Sequence, residues 1–298
     1  MLPKDVLKCY IKAGRIASEV REKVKGLVKE DVSILEICNF VENKIEEKGG
    51  KLAFPCNICV NDVAAHYSSS INDETVIPRN AVVKIDLGVH VDGYIADTAT
   101  TVCLNHQYDG MVYAINEALK QAIKAVKPGI KNNHIGSIIQ KTIERYGFKP
   151  IWNLSGHQMT RYVLHTGKSI PNVSRFGLSK IKEGEVFAIE PFLTMRSGAG
   201  EVTGLNRTYI YRFHKTHRNL NKDADKLQKL IKKRFNSLPF SKRWLNESSE
   251  KMEKAFSVIL AKKSITGYPV LAERSGNIVA QAEHTVIVTK KGCLVTTL

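Results

Sequence analysis

The sequence predicts a mixed α/β (α+β) chain of mostly antiparallel strands flanked by helices. Three observations predict it. Apolar residues recur at helical spacing in several separate segments. The dipeptide Asp92-Gly93 joins two apolar runs of strand length, which favours a tight hairpin. Two further apolar runs, over 185–194 and 278–289, are rich in strand-forming residues. A length of 298 residues allows one large domain or two ordinary ones, and a hydrophobic fraction of 43% permits a real core.

Taken in order, residues 4–27 read as a helix with Val6, Ile11, Ile16, Val20 and Val24 roughly along one side. A second helix spans about 33–48 and stops at Gly49-Gly50. The hairpin follows. Helices over 109–126 and 132–146 are each closed by a Pro-Gly or Tyr-Gly signal. The stripe Ile135, Ile138, Ile139 and Ile143 is most simply a core face. The stretch from Leu205 to Tyr268 breaks the pattern. It holds 16 Lys and Arg against 5 Asp and Glu, so most of the chain's net charge of +16 sits there. It reads as helices, one carrying Leu220, Leu227 and Ile231, another Met252, Phe256, Ile259 and Leu260. Such charge either keeps a face solvated or docks on an RNA surface such as the ribosome. No RNA-binding motif accompanies it.

The first residues resemble no signal peptide, and no stretch approaches the apolar length of a membrane span. A soluble, cytoplasmic protein with no membrane association is expected. Six cysteines are scattered, and Cys56 and Cys59 form a C-x-x-C without a second pair or a suitably spaced His. Reduced packing cysteines are the expectation.

Asp86, Asp97, His157, Glu190 and Glu283 read as one binuclear metal site. Four carboxylates and one imidazole carry a formal charge of −4 that two divalent cations cancel. Hard oxygen ligands with one imidazole suit Mn²⁺, Fe²⁺, Co²⁺ or Zn²⁺. If Asp92-Gly93 closes the hairpin, Val91 pairs with Tyr94 and Asp86 lies opposite Ala99. Asp97 then shares a face with Asp86, because side chains alternate with period 2. Glu190 ends an apolar run before Pro191, and Glu283 interrupts another. A carboxylate inside a buried strand is costly unless paired or metal-bound. His157 follows Gly156 and by itself is more often a hydrogen-bonded loop residue; the set carries the reading.

Seven motifs run in order along nearly the whole chain. They are Ala64-Ala65-His66-Tyr67, Lys84-Ile85-Asp86-Leu87-Gly88, Gly93-Tyr94-Ile95-Ala96-Asp97 and Asn153-Leu154-Ser155-Gly156-His157. Then come Leu164-His165-Thr166-Gly167-Lys168, Gly184-Glu185-Val186-Phe187-Ala188-Ile189-Glu190 and Ala280-Gln281-Ala282-Glu283-His284-Thr285. The set resembles methionine aminopeptidases of type II, in their archaeal branch. The run Gln158-Met159-Thr160-Arg161 departs from the usual pattern but leaves the frame His157, Tyr162, His165 in place.

The resemblance implies the "pita-bread" fold, a curved sheet flanked by helices in two pseudo-symmetric halves, with a helical insertion. The catalytic unit is then 1–204 plus 269–298, and 205–268 is the basic insertion. It implies two divalent ions per chain, with Asp97 and Glu283 shared by both, His157 and Glu190 completing one and Asp86 the other. Glu190 is the implied proton acceptor, and His165 and His66 the implied contacts to the substrate peptide. Phe54, Leu164 and Tyr268 are the implied wall of the methionine pocket. His66 is the implied target of fumagillin-type epoxides. The implied reaction is removal of the N-terminal methionine from nascent polypeptides by a monomer, with a small second residue preferred. Another pita-bread aminopeptidase or Xaa-Pro dipeptidase shares the ligands but fits the basic insertion less well. A non-catalytic member that binds ribosomes or RNA fits poorly with a complete ligand set.

Overall fold

A computed structural model describes residues 2–177, 179–245 and 249–298. The first half opens with two helices, α1 (Lys4–Lys25) and α2 (Ile34–Glu47). The Ser33 hydroxyl caps α2 by accepting from the Glu36 N–H, and Gly49 and Gly50 follow its end, as the sequence indicates. Strands β1 (Lys51–Val60), β2 (Val63–Ala65), β3 (Val82–Val91) and β4 (Tyr94–Cys103) come next. The second half repeats the plan: helices α3 (Asp109–Ala125) and α4 (Asn132–Arg145), then β5 (Lys149–Pro150), β6 (Ser155–Thr160), β7 (Val163–Pro171), β8 (Val186–Ile189) and β9 (Phe192–Thr194). Each half has its own core. Ala13, Ala17, Val20 and Val24 of α1 pack with Ile85 and Leu87 of β3. Ile135, Ile139 and Ile143 of α4 pack with Ile170, Phe187 and Ile189.

The basic stretch is less helical than its sequence suggests. Residues 205–213 continue the long strand β10 (Val202–Phe213), and 265–268 open β12 (Ile265–Glu273). Between them lie α5 (Lys222–Phe235), β11 (Pro239–Ser241) and α6 (Glu250–Ala261). Leu220 lies just before α5, not on it, though it packs against the insertion core; Leu260 lies on α6 as read and is 38% exposed. Leu227, Ile231, Met252, Phe256 and Ile259 do form a core with Phe240. The chain ends with β13 (Val279–Gln281), β14 (His284–Val288) and β15 (Cys293–Val295).

Among the described residues the strands form four antiparallel sheets, ordered β1-β3-β4, β11-β10-β12-β2, β13-β9-β5 and β15-β14-β8-β6-β7. The two strand-rich runs are each divided. The run 185–194 gives β8 and β9 in different sheets, broken at Glu190-Pro191. Pro191 has no N–H to extend the ladder. The run 278–289 gives β13 and β14, again in different sheets, broken at Ala282-Glu283. Both breaks therefore fall at carboxylates that the sequence singles out. Cys56 and Cys59 are buried and unbridged.

Candidate metal centre and active site

The hairpin β3–β4 supplies two of the carboxylates. Asp92 (φ 51°) and Gly93 (φ 86°) both adopt positive φ, as a tight two-residue turn requires. The ladder then runs in register from Val91↔Tyr94 to Val82↔Cys103, with Asp86 opposite Ala99 and Asp97 opposite Gly88. Asp86 and Asp97 are diagonal neighbours on one face, as the turn chemistry predicts. Gly88 sits between them for a steric reason. A Cβ there would meet the Phe54 ring at 2.2 Å, so the missing side chain lets Phe54 lie against the strand.

The other donors come from the second half. His157 lies on β6 opposite Ala188 of β8. Glu283 bridges to Ala99 of β4, accepting from the Ala99 N–H and donating to its carbonyl at 3.0 Å. The threonines of β4 extend this bridge. Thr98 Oγ1 donates to the Glu283 carbonyl at 2.8 Å, and Thr101 Oγ1 donates to the Gln281 carbonyl at 2.6 Å. The Asp97 N–H donates to Thr285 Oγ1, which donates back to the Asp97 carbonyl, both at 2.8 Å. These hydroxyls stand where a regular ladder would place backbone partners, and they lock the Glu283 segment against the hairpin. Arg21 of α1 supports them from behind, donating to Thr98 Oγ1 at 2.6 Å and to the Thr297 carbonyl at 2.9 Å.

The donor atoms converge. His157 Nε2 lies 3.6 Å from Asp97 Oδ2 and 3.5 Å from Glu190 Oε1. One ligand atom each of Asp97, His157 and Glu283 lies within 4.8 Å of the others. Asp86 Oδ1, Asp97 Oδ1 and Glu283 Oε1 are buried without a hydrogen-bond partner. Orphaned buried carboxylate oxygens are strongly unfavourable unless a cation meets them. Burial pushes the Asp86 carboxyl up to about 7. Burial, and then the neighbouring carboxylates, push Asp97, Glu190 and Glu283 far above the usual carboxylate range. Burial, and then the nearby His165, push His157 far below the usual imidazole range. A divalent cation reverses the penalty on the carboxylates and takes the imidazole in the neutral form it already prefers. The donor set thus fits hard divalent ions.

Above the carboxylates lies a rim of rings. His66 has a positive φ of 67°, a conformation uncommon outside glycine and asparagine. Its Nδ1 sits 3.1 Å from the Pro269 carbonyl. That acceptor requires Nδ1 to carry the proton, which leaves Nε2 with a free lone pair. Burial lowers the His66 pKa, so the ring is neutral near pH 7. The Tyr268 ring packs on His66 at 5.4 Å and His165 on His157 at 4.2 Å between centroids. Burial, followed by His66 and Arg212, pulls His165 down to about 4, although it is open to solvent at the cleft mouth.

All of the side chains singled out by the sequence line one cleft of about 260 Å³: Phe54, His66, Asp86, Asp97, His157, Leu164, His165, Glu190, Tyr268 and Glu283. Sequence reasoning missed several supporting residues. Asn57 lines the cleft opposite Asp86. Gln281 Nε2 approaches Glu190 Oε2 at 3.5 Å. Gln281 stands two residues before Glu283, and polar residues at that spacing in an apolar run were a usable signal. Arg21, Thr98, Thr101 and Thr285 gave none, because their partners are far away in sequence.

Residues 8–290 match the family model of metallopeptidase family M24. The chain is 47% identical to a methionine aminopeptidase of Methanocaldococcus jannaschii, over 96% of this chain and 97% of that protein. Among solved structures it is similar to a thermophilic Arx1, with a TM-score of 0.86 at 21% identity, covering 99% of this chain and 91% of the other. It is also similar to a methionine aminopeptidase from Thermotoga maritima, with a TM-score of 0.71 at 20% identity, covering 100% and 98%. At those identities the structural likenesses show the shared pita-bread fold alone. With its full-length sequence relatives and the family match, the chain belongs to metallopeptidase family M24, among the methionine aminopeptidases.

Proposed function

We propose that this chain hydrolyses the peptide bond after an N-terminal methionine, acting on the N-termini of nascent polypeptides with a small second residue. The observation that carries the reading is the convergence of four carboxylates and one imidazole in a single cleft, with three carboxylate oxygens buried and unpartnered. The full-length relative that is a methionine aminopeptidase supports the substrate.

In this reading Asp86, Asp97, His157, Glu190 and Glu283 hold two divalent ions, of the Co²⁺, Mn²⁺, Fe²⁺ or Zn²⁺ class. When bound, such ions act as Lewis acids on a carbonyl and lower the pKa of water toward neutrality. By the resemblance, Asp97 and Glu283 would be shared between the ions, Asp86 would complete one and His157 with Glu190 the other. The Glu190 carboxylate takes the proton of the attacking water and returns it to the leaving amine. Gln281 Nε2 steadies Glu190 Oε2 for that role. His165 donates a hydrogen bond to the carbonyl oxygen as it gains charge. His66 Nε2 accepts from the N–H of the peptide bond. Phe54, Leu164 and Tyr268 wall the pocket for the methionine side chain, where apolar surface discriminates by about 1–3 kcal/mol per methylene.

Residues 1–204 and 269–298 form the catalytic unit in this reading, and 205–268 is a basic insertion able to meet ribosomal RNA by charge. No helix among the described residues is long and apolar enough to cross a membrane. A monomer working in the cytoplasm fits the substrate.

The test is release of methionine from Met-Ala-Ser. Protein stripped with a chelator should be inactive and should recover with Co²⁺, Mn²⁺ or Fe²⁺. Full activity in metal-free protein overturns the mechanism. Cleavage of Ala-Pro peptides in place of Met-Ala-Ser overturns the substrate.

A further inference from the structure

We infer that the buried ion pair Glu42–Arg243 is a positioning clamp that sets the width of the pocket for the first residue of the substrate. The inference rests on the aminopeptidase reading. Two walls of the cleft come from different parts of the chain. Phe54 and Asn57 belong to β1, whereas Ile210, Pro239 and Tyr268 belong to β10, β11 and β12. Among the described residues no ladder joins β1 to β10 or β11: β1 pairs with β3, and β11 pairs with β10. The turn after β1 reaches the other wall only through β2, which pairs with the far end of β12, so at β11 the spacing is set by side chains.

Glu42 of α2 is 6% exposed, and its carboxylate receives four donors. The Arg243 guanidinium binds it through Nη1 and Nη2 as a fork. Trp244 Nε1 donates to Oε2 at 2.8 Å, and the Cys56 N–H donates to Oε1 at 3.3 Å. Arg243 also donates through Nε to the Ser69 carbonyl at 3.1 Å. Arg243 and Trp244 lie in the short 3-10 turn Lys242–Leu245 that follows β11, and Cys56 lies two residues beyond Phe54. One carboxylate therefore ties the strand that bears Pro239 to the strand that bears Phe54.

The strand geometry gives the clamp its purpose. The β1–β3 register shifts between Leu52 and Phe54 and again between Phe54 and Asn57. Such bulges re-aim side chains beside active sites and leave backbone groups outside the ladder. Here the Cys56 N–H is such a group, and Glu42 takes it. A simple apolar pair would fill the space but would hold neither the bulge nor the fork geometry. Among the described residues, the hydrogen bonds of Glu42 and Arg243 go to each other, Cys56, Ser69 and Trp244, not to the carboxylate cluster or the rim histidines, so they act through Phe54 and Pro239.

Three variants test this: Arg243→Lys, Glu42→Gln, and the double apolar variant Glu42→Leu/Arg243→Leu, which leaves no unpaired buried charge. Each is assayed as the metal-loaded full chain for Met-Ala-Ser and Leu-Ala-Ser turnover, bound metal and thermal midpoint. The expected result is a rise in KM for Met-Ala-Ser of about tenfold, since 1.4 kcal/mol is one decade. The kcat should stay within about threefold, bound metal should match wild type, and selectivity for Met over Leu should fall. The double variant should lose selectivity even if its thermal midpoint falls, since Trp244 Nε1 and the Cys56 N–H lose their acceptor. Unchanged KM and selectivity in folded variants overturn the clamp, whatever the midpoint does. So does a joint fall of kcat and bound metal at constant KM. Wild-type protein that releases no methionine sinks the aminopeptidase reading itself, which is a separate result.

Discussion

In the cleft, Asp97 and Glu283 are 3% and 1% exposed, and one carboxylate oxygen of each has no hydrogen-bond partner among the described residues. In α5 and α6 the charged side chains are open to water: Lys229 is 71% exposed and Lys254 75%. The outer charges are locally arranged. Lys229 pairs with Asp225 and Lys254 with Glu250 one helical turn away. Helix α5 carries Asp223 and Asp225 in its first turn and Lys232, Lys233 and Arg234 in its last, which complements its dipole. The difference teaches that charge identifies a working site only when it is buried against its own interest. A solvated face needs no function to explain it. Four carboxylates packed together in low dielectric do.

The largest effect should come from emptying the cleft's centre. Asp97→Ala removes a carboxylate assigned to both ions, and Asp86→Ala one assigned to a single ion. Asp97→Ala should lower kcat/KM by at least roughly 10³-fold, and Asp86→Ala by less, because water activation depends on the ions. Calorimetric titration checks the reason: two-site binding that survives in the Asp97 variant contradicts the hairpin geometry.

Proton release on metal binding sharpens the same contrast. Without cations the Asp86 carboxyl is raised to about 7, and Asp97, Glu190 and Glu283 lie well above their usual range. Below pH 7 the apo cleft therefore holds protons that a divalent ion must displace. His157 is already neutral there, since its pKa is depressed. Affinity should thus rise as pH increases from 5 to 7, with proton uptake by buffer visible in calorimetry. A pH-independent affinity without proton release would mean that the carboxylates are ionised in the apo protein.

A smaller, local effect concerns His66. With Nδ1 held by the Pro269 carbonyl, Nε2 is the nucleophilic nitrogen. A fumagillin-type epoxide should give one adduct by mass spectrometry, absent in His66→Ala. An adduct elsewhere would return His66 to a packing role.

The smallest effect should follow charge reversal at Lys229, Lys232, Lys233 and Arg234. Peptide hydrolysis should stay within about twofold, as surface charges away from a cleft are screened. If the insertion docks on ribosomal RNA, the same variant should lose salt-sensitive co-sedimentation. Equal sedimentation of both proteins at physiological salt leaves the charge as solvation alone.

Much of the site was legible before any coordinates. The Asp86–Asp97 juxtaposition follows from one turn, because Asp92-Gly93 fixes the register and the register fixes the face. Glu190 and Glu283 stood out as carboxylates in apolar runs. The helices were legible from their stripes and stops. The insertion was not: its basic composition read as helix, yet 205–213 is strand. Strands there are set by pairing of β10 with β12, whose partners run from Phe213↔Ile265 to Val202↔Glu273, far apart in sequence.

By itself the sequence determined what is local: helix boundaries, the hairpin register, the ligand types and the motif order. Only the tertiary structure decided that the two strand-rich runs pass between different sheets at Glu190 and Glu283. It also decided that the threonines of β4 hold Glu283 in place, and that Glu42 meets Arg243 across 201 positions. The reason is that turns and caps are governed by neighbouring residues, whereas these contacts exist only once distant segments are packed, and a buried donor must then find whatever acceptor the packing supplies.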